Sequence, residues 1–136
     1  MSQGTIQLGE LEHAVLEDLW DRGADHAKGV HGRLGVQRGI THNTVQSTLE
    51  RLYRKSLLTR TKERHAYVYR PAMSREAFLA RLIDQVTHPL AENLPEESLL
   101  SAFVDFAAER DERGLDRLQA LIERKRRADS TGRDLE

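Results

Sequence analysis

A mainly α-helical chain with one small β-hairpin is expected from three features of these 136 residues. Apolar side chains recur at intervals of three and four in six separate stretches, the spacing of a helix with one apolar stripe. One run, 57–70, instead gathers β-branched and aromatic residues around a short turn, as paired strands do. Charged residues make up 32% of the chain, enough to raise the question of disorder. The net charge of only −1 and the regular apolar spacing answer it in favour of folded helices. The length suits one domain with an appendage and excludes two full-sized cores.

The first helix is expected over about Leu8–Trp20. Leu8, Leu11, Val15 and Leu19, with Leu16 and Trp20 beside them, form the stripe; Glu10, Glu12, Glu17 and Asp18 take the other face, and Gly23 stops it. A shorter helix follows over about Ala27–Leu34, weakened by Gly29 and Gly32 and ended by Gly35. The third, 41–55, has Thr41 as N-cap, because its hydroxyl can accept from the unpaired N–H groups of the first turn. Val45, Leu49 and Leu52 point one way, and His42, Asn43, Gln46, Ser47, Glu50, Arg51 and Arg54 mostly the other. Strands 57–62 and 65–70 flank a two-residue Glu63–Arg64 turn, and Pro71 ends the second.

Beyond Pro71 the composition shifts. Ser74 caps a helix over about 75–88, which His88–Pro89 and the stretch Ala91–Pro95 break. Pro95, Glu96 and Glu97 suit the start of a helix over 96–110. Its stripe is Leu99, Leu100, Phe103, Val104, Phe106 and Ala107. Gly114 separates it from a last helix, about 115–127, carrying Leu115, Leu118, Leu121 and Ile122. The expected organisation is thus a winged-helix DNA-binding domain over 1–72, a helical dimerisation domain over 73–128 and a disordered tail over 129–136.

Helix, helix, helix, hairpin is the layout of a winged helix-turn-helix, whose third helix enters the major groove. The charge distribution agrees. Residues 37–71 hold eight basic side chains (Arg38, Arg51, Arg54, Lys55, Arg60, Lys62, Arg64, Arg70) against Glu50 and Glu63, while 72–123 hold eleven acidic and five basic. A basic block in a neutral protein is the footprint of a phosphate-facing segment. Thr41, His42, Asn43, Thr44, Gln46 and Ser47 can donate to and accept from base edges; Asn and Gln suit adenine, and Thr methyls pack on thymine methyls. Arg51, Arg54, Lys55, Arg60, Lys62 and Arg64 surround them and suit phosphates. The dimer contact is assigned to Leu99, Leu100, Phe103, Val104, Phe106, Leu115, Leu118, Leu121 and Ile122, since short amphipathic helices without a large core need another surface, and a two-fold partner matches two half-sites.

LGELEHAVLEDLW (8–20), THNTVQSTLERLYRKSLL (41–58) and HAYVYRP (65–71) together resemble the penicillinase repressor family, of the BlaI/MecI/CopY type. The resemblance spans about 8–128 and is strongest through residue 71. It implies a cytoplasmic bacterial repressor that binds a palindromic double-stranded DNA operator as a homodimer through the helices after the wing. By position it makes Thr41, Asn43, Thr44, Gln46 and Arg51 operator-facing and puts Arg64 at the wing tip. Copper-responsive members carry a C-terminal cysteine cluster; this chain has no cysteine, which excludes a thiolate copper switch. Antibiotic-responsive members are cleaved at an Asn–Phe bond, and the matching place here is Asp105–Phe106, where the aspartate departs from the pattern and Phe106 also reads simply as a stripe residue. An upstream sensor or protease is therefore left open.

Two other functions are weighed against this. His13, His26, His31, His42, His65 and His88 could ligate zinc, copper or haem iron in a metal- or haem-responsive repressor, but they form no HxxxH or HExxH pair, so no metal site or cofactor is assigned. A winged-helix protein-interaction adaptor would leave the basic block unexplained. An enzyme is not expected: GxSxG, P-loop, dinucleotide-turn and metalloprotease motifs are all lacking. No apolar run approaches the roughly 18 residues of a membrane span, and the N-terminus lacks a signal-peptide layout.

Overall fold

A computed structural model describes residues 5–90 and 92–134, which divide into two compact units, Met1–His88 and Pro89–Glu136. In the first, α1 (Glu10–Arg22) starts two residues later than Leu8, because the Glu12 carboxylate folds back to accept from the Gly9 N–H at 3.1 Å. Glu12 is buried, not on the solvent face expected from its neighbours. Burial alone would raise its carboxyl; the Lys55 ammonium at 2.7 Å and the Gly9 N–H outweigh this and hold it below the usual range.

The second helix does not stop at Gly35. α2 (Ala27–Val30), a π-helical turn (His31–Gly35) and α3 (Val36–Arg38) run on as one segment that ends at Gly39, whose φ of 69° is the left-handed conformation glycine adopts freely. Gly35 is needed inside it for space: a Cβ there would lie 2.3 Å from the His31 ring. Gly29 likewise leaves room for the Asp25 carboxylate. That carboxylate, together with Asp18, grips Arg33 at 2.7 Å each and so clips this segment to α1. The arginine hydrogen bond keeps Asp25 below the ordinary carboxylate range although burial pushes the other way.

α4 (His42–Arg54) is the third helix of the sequence reading. Thr41 Oγ1 accepts from Thr44 N–H at 3.1 Å, as a cap should. At its far end Leu57 N–H reaches Leu52 O and Ser56 N–H reaches Tyr53 O, with Ser56 at φ 64° in the place glycine usually takes. β1 (Leu58–Glu63) and β2 (Ala66–Pro71) pair antiparallel with Leu58 opposite Pro71 and Glu63 opposite Ala66. The turn is thus Arg64–His65, one residue later than expected, and Arg64 takes a φ of 57°. Pro71 is the last paired residue of β2 and not a terminator outside it. Asp25 adds a single bridge to Tyr69, its N–H donating to Tyr69 O at 3.0 Å and its carbonyl accepting from Tyr69 N–H at 2.8 Å.

The core of this unit joins Val15, Leu16 and Leu19 of α1, Val30, then Val45, Leu49 and Leu52 of α4, with Leu57, Leu58 and Tyr69 from the hairpin. Phe78 of α5 (Arg75–Thr87) completes it. Ser74 caps α5 by accepting from Ala77 N–H at 3.1 Å. The α5 helix, expected to begin the dimerisation region after residue 72, belongs instead with the first unit. Trp20 packs on Phe78 with centroids 5.3 Å apart and donates its indole N–H to Met73 O. Arg75 bridges Glu17 and Asp21, and the Gln85 amide grips the Ile6 backbone at both its N–H and its C=O.

The second unit is a helical hairpin of α6 (Glu96–Arg110) and α7 (Gly114–Asp134). Gly114 sits at the first position of α7 because a Cβ there would press on Ala107 O at 1.7 Å. The disordered tail expected over 129–136 is, as far as residue 134, the last part of α7; residues 135 and 136 lie outside the described residues. No helix among the described residues is long and apolar enough to cross a membrane.

Candidate nucleic-acid interface

α4 presents a two-sided surface because its apolar residues fall on one stripe. Val45, Leu49 and Leu52 are wholly buried, as is Thr48, whose hydroxyl donates to Thr44 O at 2.7 Å. The opposite face leaves His42, Asn43, Gln46, Ser47, Arg51 and Arg54 exposed, with Thr41 and Thr44 at its start. Thr41 and Thr44 are partly committed, their hydroxyls meeting at 3.0 Å within the cap. Asn43, Gln46 and Ser47 make no side-chain hydrogen bond within the described residues and keep their donors and acceptors for a ligand.

The hairpin lies beside this face and makes a cleft on either side of Gln46. One cleft is lined by Asn43, Gln46, Ser47, Glu50, Arg51, Arg54, Tyr67 and Tyr69. The other brings His42, Gln46, Lys62, His65 and Tyr67 together with His26 and Lys28 from the start of α2. The sequence singles out His26 and His65 as candidate metal ligands and does not single out Lys28. Lys28 stands outside the basic block, and only packing brings it to the surface that the block defines.

The predicted phosphate contacts separate into free and engaged cations. Lys62 and Arg64 are exposed on the wing, and Arg51 is exposed with one guanidinium N–H on Thr48 Oγ1 at 3.2 Å. Arg54 stays three-quarters exposed beside Glu50 at 3.5 Å. Arg60, by contrast, is sandwiched between the Tyr53 and Tyr67 rings at 4.0 and 4.1 Å and ion-paired with Glu50. Burial opposes its charge, but Tyr69 and Glu50 outweigh that and hold the guanidinium above its ordinary range. Arg60 thus ties the wing to α4. Lys55 is turned away as well, onto Glu12 and the Gln7 carbonyl at 2.7 Å each.

Two of the histidines are engaged within the fold. His26 Nδ1 caps α2 by accepting from Gly29 N–H, and His31 Nε2 lies 2.9 Å from Ile40 O. Among the described residues no group of three or more His, Cys, Asp or Glu side chains is placed to hold a metal ion.

In the second unit, Leu99 and Leu118 are half-buried, while Leu100, Phe103, Val104, Phe106, Leu115, Leu121 and Ile122 are exposed. Asp105 and Phe106 lie in the middle of α6, exposed as side chains but with their backbone wound into the helix.

A three-helix core closed by a two-stranded wing, with an open polar helix face beside that wing, defines the winged-helix class. Residues 8–124 match the penicillinase repressor family, and the chain belongs to that family, one of transcriptional regulators and not of enzymes. It is similar to the transcriptional regulator BlaI in two strains of Mycobacterium tuberculosis, each 29% identical over 100 residues that cover 73% of this chain and 72% of the relative. Among solved structures it resembles the hsRosR–S1 complex, at 18% identity over 89% of this chain and 94% of that one, with a TM-score of 0.48. It also resembles the transcriptional regulator Tm0710 of Thermotoga maritima, at 20% identity over 86% and 78% of the two chains and a TM-score of 0.44.

Proposed function

We propose that this winged-helix regulator represses transcription by binding a pseudo-palindromic DNA operator as a homodimer in the bacterial cytoplasm, and that a signal yet to be identified releases it. The observation that carries the reading is the open face of α4. Asn43, Gln46 and Ser47 have polar groups without partners in the described fold, and Arg51, Arg54, Lys62 and Arg64 stand around them as exposed cations. Such a face has base readers at its centre and phosphate contacts at its rim.

The homodimer is supported by the second unit. Gly114 is its single fully buried residue among those described, and Leu100 and Phe106 are 56% and 59% exposed. Two helices cannot enclose a core between them, so a second copy is the simplest cover, and its two-fold axis would set two α4 helices about one turn of DNA apart.

Binding-site selection from the source genome with purified protein tests both parts. A palindromic consensus bound by a dimer is the expected result, and its flanking genes would name the regulon. Recovery of no enriched sequence, or of an asymmetric one bound by a monomer, would overturn the proposal.

A further inference from the structure

α7 carries four consecutive basic residues, Arg124, Lys125, Arg126 and Arg127, just past Leu121 and Ile122, the last apolar residues of its stripe. All four are exposed. Lys125 reaches Asp129 at 3.8 Å, while Arg124, Arg126 and Arg127 have no carboxylate partner among the described residues. Successive helical residues turn by about 100° and rise about 1.5 Å, so the four cations are spread around the helix along only about 4.5 Å of its length. Arg124 and Arg127, three residues apart, put like charges on one face, which opposes helix formation. The helix dipole does not compensate, because it favours cations only in the last turn and Arg127 lies seven residues before Asp134. The cluster therefore serves no visible purpose within the fold, and it interrupts a strongly acidic half of the chain.

We propose that residues 124–127 are a second DNA contact, gripping backbone phosphates outside the bases read by α4 and adding affinity without sequence preference. This rests on the DNA-binding reading above. A duplex is the favoured occupant because its charge density, one phosphate per about 1.7 Å of axis, matches that of the cluster. A duplex held by α4 is also joined to this segment through the chain itself, which raises its effective concentration there, and a homodimer would double the number of cations.

The test uses a fluorescein-labelled random-sequence duplex of roughly 40 base pairs, longer than two half-sites one turn apart, with anisotropy measured across a salt series. The variant is R124Q/K125Q/R126Q/R127Q, since glutamine keeps helix propensity, and circular dichroism confirms the helix. The slope of log affinity against log salt should flatten by about 0.9 for each phosphate released, about 2 to 4 per protomer. The control R110Q/R113Q/R117Q, which removes cations elsewhere in the same unit, should leave the slope unchanged. A quadruple variant within about 0.5 of the wild-type slope overturns this inference and leaves the α4 reading intact. An equal flattening in the control assigns the effect to net charge and also overturns it. Failure of the wild type to bind the duplex at all sinks both proposals. Sedimentation of the wild type with phosphatidylserine vesicles, lost in the quadruple variant while its DNA slope is unchanged, gives the cluster to a lipid surface and overturns the inference.

Discussion

Residues 5–88 and 92–134 are built from the same kind of amphipathic helix and place its apolar stripe in opposite surroundings. In the first unit eleven apolar side chains are buried around α1, α4 and the hairpin, and charged clips such as Arg33 with Asp18 and Asp25 close the edges. In the second, Phe103, Phe106, Leu115 and Leu121 remain open to solvent. Periodicity alone does not distinguish these outcomes. What decides is whether three or more layers converge: α5 and the wing supply the additional layers in one unit, and the described residues of the other supply only α6 and α7.

Leu49→Ala should sharpen the contrast most. Emptying a fully buried position costs about 2–5 kcal/mol in urea unfolding, and the loss should not depend on protein concentration. A concentration-dependent loss would mean that the first unit also relies on a partner. Phe103→Glu should instead leave that unfolding transition unchanged and give monomers in ultracentrifugation. Its operator binding should weaken about a hundredfold as two-site attachment is lost. Dimers that survive the change would break the contrast from the other side. Gln46→Ala alters neither core nor assembly, and should cost about 1–3 kcal/mol of operator binding at single base positions. An equal loss on random DNA would show that Gln46 does not read bases.

Acid should act on the first unit. Glu12 and Asp25 both have carboxyl groups held below their unfolded values. The native state therefore binds fewer protons than the unfolded state in this range. The stabilisation is complete above about pH 4.5 and lost as pH falls through the lowered folded values. Urea midpoints followed below pH 5 should show this, with the slope reduced in Lys55→Met and Arg33→Met. The smallest effect belongs to Ser56→Gly, which relieves a left-handed backbone and should raise stability by about 0.5 kcal/mol.

Those elements whose determinants are local were legible in the sequence. Thr41 and Ser74 cap where expected, α6 spans the anticipated 96–110, and the stripe of α4 is buried as its spacing demands. Long-range contacts defeated the rest. Gly35 is identical in sequence to a helix stop, and only the His31 ring packed against it makes it an interior residue. The grouping of α5 with the first unit depends on Phe78 meeting Trp20, fifty-eight residues away in sequence. In the candidate site, Asn43, Gln46 and Lys62 could be picked by residue type and position. Arg60 carries the same charge as Lys62 two residues later, yet its role is set by Tyr53, Tyr67 and Glu50, none of them adjacent to it.

The Arg60 sandwich has a consequence for the entropy of binding. A wing on a free hairpin would have to be immobilised each time it met a groove, and that ordering would be subtracted from every contact it made. Here two aromatic rings and a carboxylate fix the wing when the chain folds, before any ligand arrives. α4 and the wing would therefore meet a ligand pre-organised, as one rigid template.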